Sequence, residues 1–217
     1  MAYVAATAAL AAVLVEGVLG AIVVYHELQG ALVLAHLAVA LVILGLLVAV
    51  AVVVQPLAGA ASRPAGAYLA AAVAATYAIL LTGSGVVAAG ADEACRSWPS
   101  CGNGVAAPVD GLQAINLGHR LVVAIGGLFL VYVLSLNVRG APSIRTVAAA
   151  LTLAALALQV AVGALTAIGG ETPLFNGLHL ALATAVWSGV VLVAACGLRA
   201  SPDIEQEPRL ALKGHTA

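Results

Sequence analysis

The hydrophobic positions of this chain do not alternate with polar ones; they run together. Six apolar stretches appear, at residues 3–24, 31–54, 66–89, 114–137, 144–168 and 177–199, each about 22 to 25 residues long. Periodicity cannot separate helix from strand in runs this apolar, so length decides. They are too long for barrel strands and lack the two-residue alternation of such strands. About 20 apolar residues of helix span the hydrocarbon core of a bilayer, so the pattern predicts an all-α integral membrane protein with six transmembrane helices. The separators are turn-like: His26-Glu27-Leu28-Gln29-Gly30, Ala61-Ser62-Arg63-Pro64, the long segment 90–113, Asn137 to Pro142, and Gly169 to Pro173.

Composition strengthens this picture. Hydrophobic residues make up 64% of the 217 and charged residues only 8%, against about a quarter charged in a soluble domain. So few charges cannot cover a water-facing surface, so the partner of most of this surface is the lipid bilayer. A formal net charge of −1 leaves no footprint for nucleic acid. Arg63, Arg139, Arg145, Arg199, Arg209 and Lys213 fall on one side of the predicted spans, and only Arg96 and Arg120 on the other. By the bias of basic residues towards the cytoplasm, both termini are expected to be cytoplasmic, in a multi-pass protein of the cell membrane. The first run has no basic leader region and is too long for the core of a signal peptide.

An internal repeat is also visible. EGVLGAIVVYHELQGALVLAHLAVA at 16–40 aligns without a gap on QVAVGALTAIGGETPLFNGLHLALA at 159–183, matching Glu16, Gly20 and His36 with Gln159, Gly163 and His179. The expected organisation is an N-terminal transmembrane hairpin at 1–60 that is a partial repeat, a four-helix bundle at 61–199, and a cytoplasmic tail at 200–217.

Of five histidines, His26 and His215 fall in a loop and in the tail. His36, His119 and His179 each fall a few residues inside an even-numbered helix, at similar depth on the outer side. Imidazole in a membrane is costly unless paired. One such residue is most simply bonded to a neighbouring helix; three at matched depth point to ligation. Zinc and copper ask for three or four donors, and no helix offers a second donor one turn from its histidine. Haem asks for one or two axial imidazoles and a flat apolar slot. Gly118, Gly177, Gly20 and Gly163 would let a porphyrin approach a helix, although glycine also serves close helix packing. Glu16 and Gln159 lie mid-membrane, as proton-handling groups or as interhelical polar contacts.

The outer segment 95–101 reads CRSWPSC. Its spacing allows a Cys95–Cys101 disulfide, favoured over free thiols by the oxidising side on which it falls. It lacks the histidine of a c-type haem site and the second cysteine pair of a zinc ribbon. Cys196 reads as a small apolar filler in the last helix. Gly83-Ser84-Gly85-Val86-Val87-Ala88 formally fits a dinucleotide fingerprint, but without a preceding strand it is a glycine-rich helix exit.

LTGSG at 81–85, then Cys95, Trp98, Pro99, Cys101 and Gly102 in an outer loop, then His119-Arg120 opening a helix, resemble the haem A synthase family. QVAVGALT at 159–166 and GLHLALA at 177–183 resemble the helix pair that follows in that family. The resemblance covers residues 66–199, and 10–54 through the repeat. It implies eight helices in two four-helix halves, each holding a haem between two histidines. One half takes haem O as substrate; the other holds haem b as cofactor. It implies oxidation of a ring methyl of haem O to the formyl of haem A, for assembly of terminal oxidases, and a disulfide between the outer cysteines. His119 and His179 are then axial ligands of one haem iron, with Arg120 a candidate partner of a propionate. His36 is a candidate ligand of a second haem, completed by a homo-oligomer or a partner subunit. Haem O synthase and a terminal oxidase are the expected neighbours in the pathway.

Two departures stand out. The chain has six helices, lacking one hairpin of the eight. Asn116 stands three residues before His119, where the family's substrate half carries glutamate, so the third to sixth helices resemble the cofactor half. The catalytic residues are therefore not assigned; His36 and Glu16 are the candidates. A non-catalytic membrane b-type cytochrome, or a haem-carrier subunit, is the alternative reading. A small transporter would need a more polar path through the membrane.

Overall fold

The structure is a computed structural model that describes residues 2–55, 66–102, 110–139, 142–170 and 172–199. Within them the chain forms six long helices, α1 (Ala2–Tyr25), α2 (Gly30–Val54), α3 (Gly66–Ala88), α4 (Gly111–Val138), α5 (Ile144–Gly169) and α6 (Pro173–Arg199), and no strand. All six are long and apolar enough to cross a membrane. Lipid offers no partner for a free N–H or C=O, so these segments satisfy their backbone internally as helices. Proline is absent from their interiors; Pro173 occupies the first position of α6, where its missing N–H costs nothing.

Polar residues set the starts. The Asp110 side chain accepts from the Gln113 N–H at the head of α4. Ser143 and Thr146 form a reciprocal capping box on α5. Hydroxyls within the spans turn back on their own helices: Thr76 donates to the Ala72 carbonyl, Thr152 to Ala148 and Thr184 to Leu180.

Helices α3 to α6 pack in a ring, each against the next, with α6 closing on α3. Its core, around Leu69, Leu130, Val133, Leu134, Val190 and Val193, is fully buried. All of these residues belong to one end of the ring: the start of α3, the last turns of α4 and the second half of α6. The opposite end is built from the end of α3 and the starts of α4 and α6, the segments that carry His119 and His179.

Helix α2 lies outside the ring against α3 and α6, and α1 packs on α2. Two ring side chains pin α2 by its backbone. The Trp187 indole N–H donates to the Leu41 carbonyl (2.9 Å) and the Tyr77 hydroxyl to the Ala38 carbonyl (3.1 Å). Gly45 admits the Trp187 ring, which would stand 3.0 Å from a β-carbon there. At the other end, Gly30 meets the Ala88 backbone where a β-carbon would not fit. The α1–α2 turn is tight, with Glu27 and Leu28 both at positive φ.

The basic residues that set the expected orientation are only partly in view. Arg63, Arg209 and Lys213, with His215 and the tail, lie outside the described residues. Arg139 follows α4, whereas Arg145 is buried in the first turn of α5, with its guanidinium beside Gly197.

Candidate functional site

His36 is the seventh residue of α2, His119 the ninth of α4 and His179 the seventh of α6. Each sits within the first three turns of its helix, as the apolar pattern predicts. Each ring also rests on a glycine of the preceding helix, with its Cε1 edge towards the backbone. A β-carbon at Gly20 would stand 3.2 Å from His36 Cε1, one at Gly83 3.0 Å from His119 Cε1, and one at Gly163 2.9 Å from His179 Cε1. Gly20 and Gly163 therefore make room for imidazoles. Gly118 and Gly177, on the histidine-bearing helices, meet nothing within 4 Å.

Each histidine has one polar neighbour on the same preceding helix. Glu16 Oε1 lies 2.7 Å from His36 Nδ1. Gln159 Nε2 lies 3.2 Å from His179 Nε2. Thr82 Oγ1 lies 3.0 Å from His119 Nδ1 and donates its own proton to the Ile79 carbonyl (2.9 Å). Having spent that proton, Thr82 can only accept from Nδ1–H, which leaves the lone pair of His119 on Nε2. The internal repeat thus recurs in space. The order polar residue, glycine four later, histidine sixteen after that holds for Glu16–Gly20–His36 and for Gln159–Gly163–His179.

His119 and His179 lie within Coulomb range of one another. His179 Nδ1 is buried against the α5 backbone at Gly163. No group of three or more His, Cys, Asp or Glu able to hold a bare metal ion occurs among the described residues. The donor set is two imidazoles in an apolar setting, the kind of donors that haem uses.

The segment above this site is heavily tied. Cys95 and Cys101 are joined by a disulfide, with Cα atoms 4.8 Å apart, and both are buried. Arg120 points into this loop. Its NH1 donates to the carbonyls of Ser97 (2.6 Å), Pro99 (3.2 Å) and Ser100 (3.4 Å), and its NH2 to that of Cys95 (2.8 Å). Asn116, buried, donates to the carbonyls of Ala91 (2.8 Å) and Asp92 (3.4 Å). Two side chains one turn apart on α4 thereby hold the loop at 91–92 and at 95–100. The loop-holding roles of Arg120 and Asn116, and the support of His119 by Thr82 and Gly83, were not foreseen. The LTGSG stretch held the signal for the latter pair.

The α1–α2 hairpin carries the remaining histidine. The His36 side chain is 36% exposed and that of Glu16 13%. Below them opens an apolar groove of about 390 Å³, lined by Ala12, Val15, Ala38, Val42, Leu46 and Tyr77 among others. The Tyr77 hydroxyl is already engaged with Ala38, so the groove suits hydrocarbon. His26 is exposed in the α1–α2 turn, and Cys196 is half-buried in α6.

Comparison with known proteins gives one family model and several curated relatives. A family model described as cytochrome oxidase assembly protein, COX15-CtaA, matches residues 2–191. Among curated relatives, a protoheme IX farnesyltransferase of Halobacterium salinarum is 36% identical over 152 residues, 66% of this chain and 33% of its own length. One from Haloarcula marismortui is 35% identical over 152 residues, 68% of this chain and 32% of its own. A heme A synthase of Symbiobacterium thermophilum is 36% identical over 117 residues, 52% of this chain and 37% of its own. The chain spans about a third of the length of the curated relatives it matches.

Proposed function

Because the chain belongs to the COX15-CtaA family of cytochrome oxidase assembly proteins, we propose that it is a membrane oxidoreductase of the haem A synthase type, oxidising the ring methyl of haem O to the formyl of haem A. The observation that carries this reading is the pair His119 and His179, two imidazoles in mutual range, each held by a polar neighbour and a glycine.

In this reading the α3–α6 unit, residues 61–199, holds haem b as a resident cofactor, which supplies one-electron redox chemistry when bound. His119 would offer Nε2, because Thr82 occupies Nδ1, and His179, steadied by Gln159, would be the second imidazole. The disulfide-closed loop covers the outer edge and excludes water. Arg120 braces that loop, and a propionate is a further acceptor for its guanidinium. The hairpin at 1–60 is the substrate side: His36 receives haem O, and the apolar groove beneath it suits the hydrocarbon tail that distinguishes haem O from haem b. A second copy of the chain, or another subunit, covers the open side of His36. The termini face the cytoplasm and the Cys95–Cys101 loop the outer side. The farnesyltransferase names of several relatives support a haem O synthase as the supplying neighbour, and a terminal oxidase as the consumer of haem A.

The second reading, a b-type cytochrome or haem carrier without catalysis, draws on Asn116, whose side chain is spent on the Ala91 and Asp92 carbonyls. The test is product. Haem extracted from cells making this chain together with haem O should contain haem A or its hydroxylated intermediate. Unchanged haem O beside an intact b-type spectrum would select the cytochrome. Alanine at His119 or at His179 should abolish the low-spin spectrum, and a spectrum unaltered by both would reject the haem site itself.

A further inference from the structure

The hairpins α1–α2, α3–α4 and α5–α6 are variants of one unit. In each, the second helix carries a histidine whose ring rests on a glycine of the first: Gly20, Gly83 or Gly163. The ring joins two such units, and the likeness runs down the helices beyond the histidines. Eleven and fourteen residues after His119 stand Leu130 and Val133; at the same distances after His179 stand Val190 and Val193. All four are at most 2% exposed and lie in one apolar cluster. The same count from His36 reaches Leu47 and Val50, again large and apolar, but each is 40% exposed. Helix α1 follows suit: Val13, three residues before Glu16, is 48% exposed, whereas Leu156, three before Gln159, is buried.

Exposed apolar side chains are no burden in lipid, but an imidazole is. The His36 side chain is 36% exposed, while His119 and His179 lie in range of each other. The open face of the hairpin thus has the residues of a ring interior and the histidine of a ring site, without the second unit. Three like units that join two by two leave one over, and a second copy of the chain restores the number. Its hairpin brings a histidine at the same depth on helices that run the same way. Two copies keep one orientation in a membrane only about an axis along its normal, and a two-fold axis closes the pair. That axis sets His36 opposite His36. Small side chains on α1, among them Ala8, Ala9, Ala11 and Ala12, admit the close approach on which helix association in lipid rests.

We propose that two copies of the chain pair through their α1–α2 hairpins, forming a second four-helix ring with one His36 from each copy. On the reading of His36 as a haem ligand, on which this consequence rests, the two imidazoles hold one haem between the copies, giving three haems to two chains.

The test is cross-linking of the full chain in native membranes, with Cys196→Ala as background and a short bifunctional thiol reagent. Leu47→Cys and Val50→Cys should give a band of twice the chain's mass. Leu151→Cys should not: Leu151 is 66% exposed on α5 and stands as many residues from Ile144 as Leu47 does from Val54. A melting temperature near that of wild type shows that each variant is folded. No link at either hairpin position, a link to a protein of another mass, or equal linking in Leu151→Cys overturns the pairing. Haem analysis of the purified protein, loaded with protohaem, tests the reading beneath it. The ratio should fall from three per two chains to one per chain in His36→Ala. A ratio that His36→Ala leaves unchanged, with the cross-links intact, refutes His36 as a ligand and leaves the pairing in place.

Discussion

The imidazole of His179 lies against the backbone of Gly163, so close that a β-carbon at 163 would stand 2.9 Å from Cε1. Alanine in a helix normally stabilises by about 0.5–1 kcal/mol over glycine. Here the ring would have to move, and overpacking of this kind costs about 1–3 kcal/mol. Gly163→Ala should therefore lower the melting temperature of the detergent-solubilised protein. It should also reduce the haem retained on purification, read from the pyridine haemochrome. Gly20→Ala, at 3.2 Å, should be the milder of the two.

Thr82 acts on His119 through Nδ1 alone. Thr82→Val keeps the shape of the side chain and removes the acceptor, leaving the ring free to rotate and its N–H unpaired. Loss of such an outer partner typically costs about 10–100-fold in metal affinity. Haem titration of the apoprotein should give a weakened affinity in that range, and electron paramagnetic resonance of the ferric protein should show a broadened low-spin signal. Thr82→Ser should behave as wild type.

Arg120 and the disulfide hold one loop by independent means. Closing a loop of six residues is worth about 2 kcal/mol, and four carbonyls on one guanidinium form a second anchor. Reduction alone should lower the melting temperature modestly and leave the loop in place. Arg120→Met alone should raise hydrogen exchange across 93–101. The two together should exceed the sum, since each anchor limits the slack released by the other. Alkylation without reductant should label Cys196 and spare Cys95 and Cys101.

Trp187 ties the hairpin to the ring through the Leu41 carbonyl. Trp187→Phe removes that bond and leaves most of the apolar contact, at a cost of about 1 kcal/mol. Hydrogen exchange across α2 should then rise, while the spectrum assigned to His119 and His179 stays unchanged. A change in that spectrum would mean that the hairpin and the ring are coupled more tightly than one hydrogen bond implies.

The six spans were legible because lipid demands length and apolarity, and both are visible in a string of residues. The starts of α4 and α6 were less so. Gln113, Asn116 and Asn176 dilute the apolar run, yet capping by Asp110 and the fixed φ of Pro173 begin those helices three and four residues before the run does. The Cys95–Cys101 pairing was readable from its spacing. The role of Gly20 and Gly163 was not, because a glycine in sequence announces close approach without saying what approaches. Arg120, a candidate partner of a propionate, reaches back to carbonyls 20 to 25 residues earlier, and no local pattern encodes a contact across that distance. Glu16 and His36 stand twenty residues apart, and only the alignment with Gln159 and His179 hinted at their meeting.

Trp187 has one more implication, for the order of synthesis. The indole that seats α2 belongs to α6, the last of the six helices to leave the ribosome, while α1 touches the rest of the protein chiefly through α2. The first hairpin must then wait in the bilayer, half-docked on α3, until four further helices have been inserted. During that interval its polar pair faces lipid with only each other for company. A mutation that slows insertion of α6 would leave this intermediate waiting longer, and the quality-control proteases of the membrane would meet the protein there first.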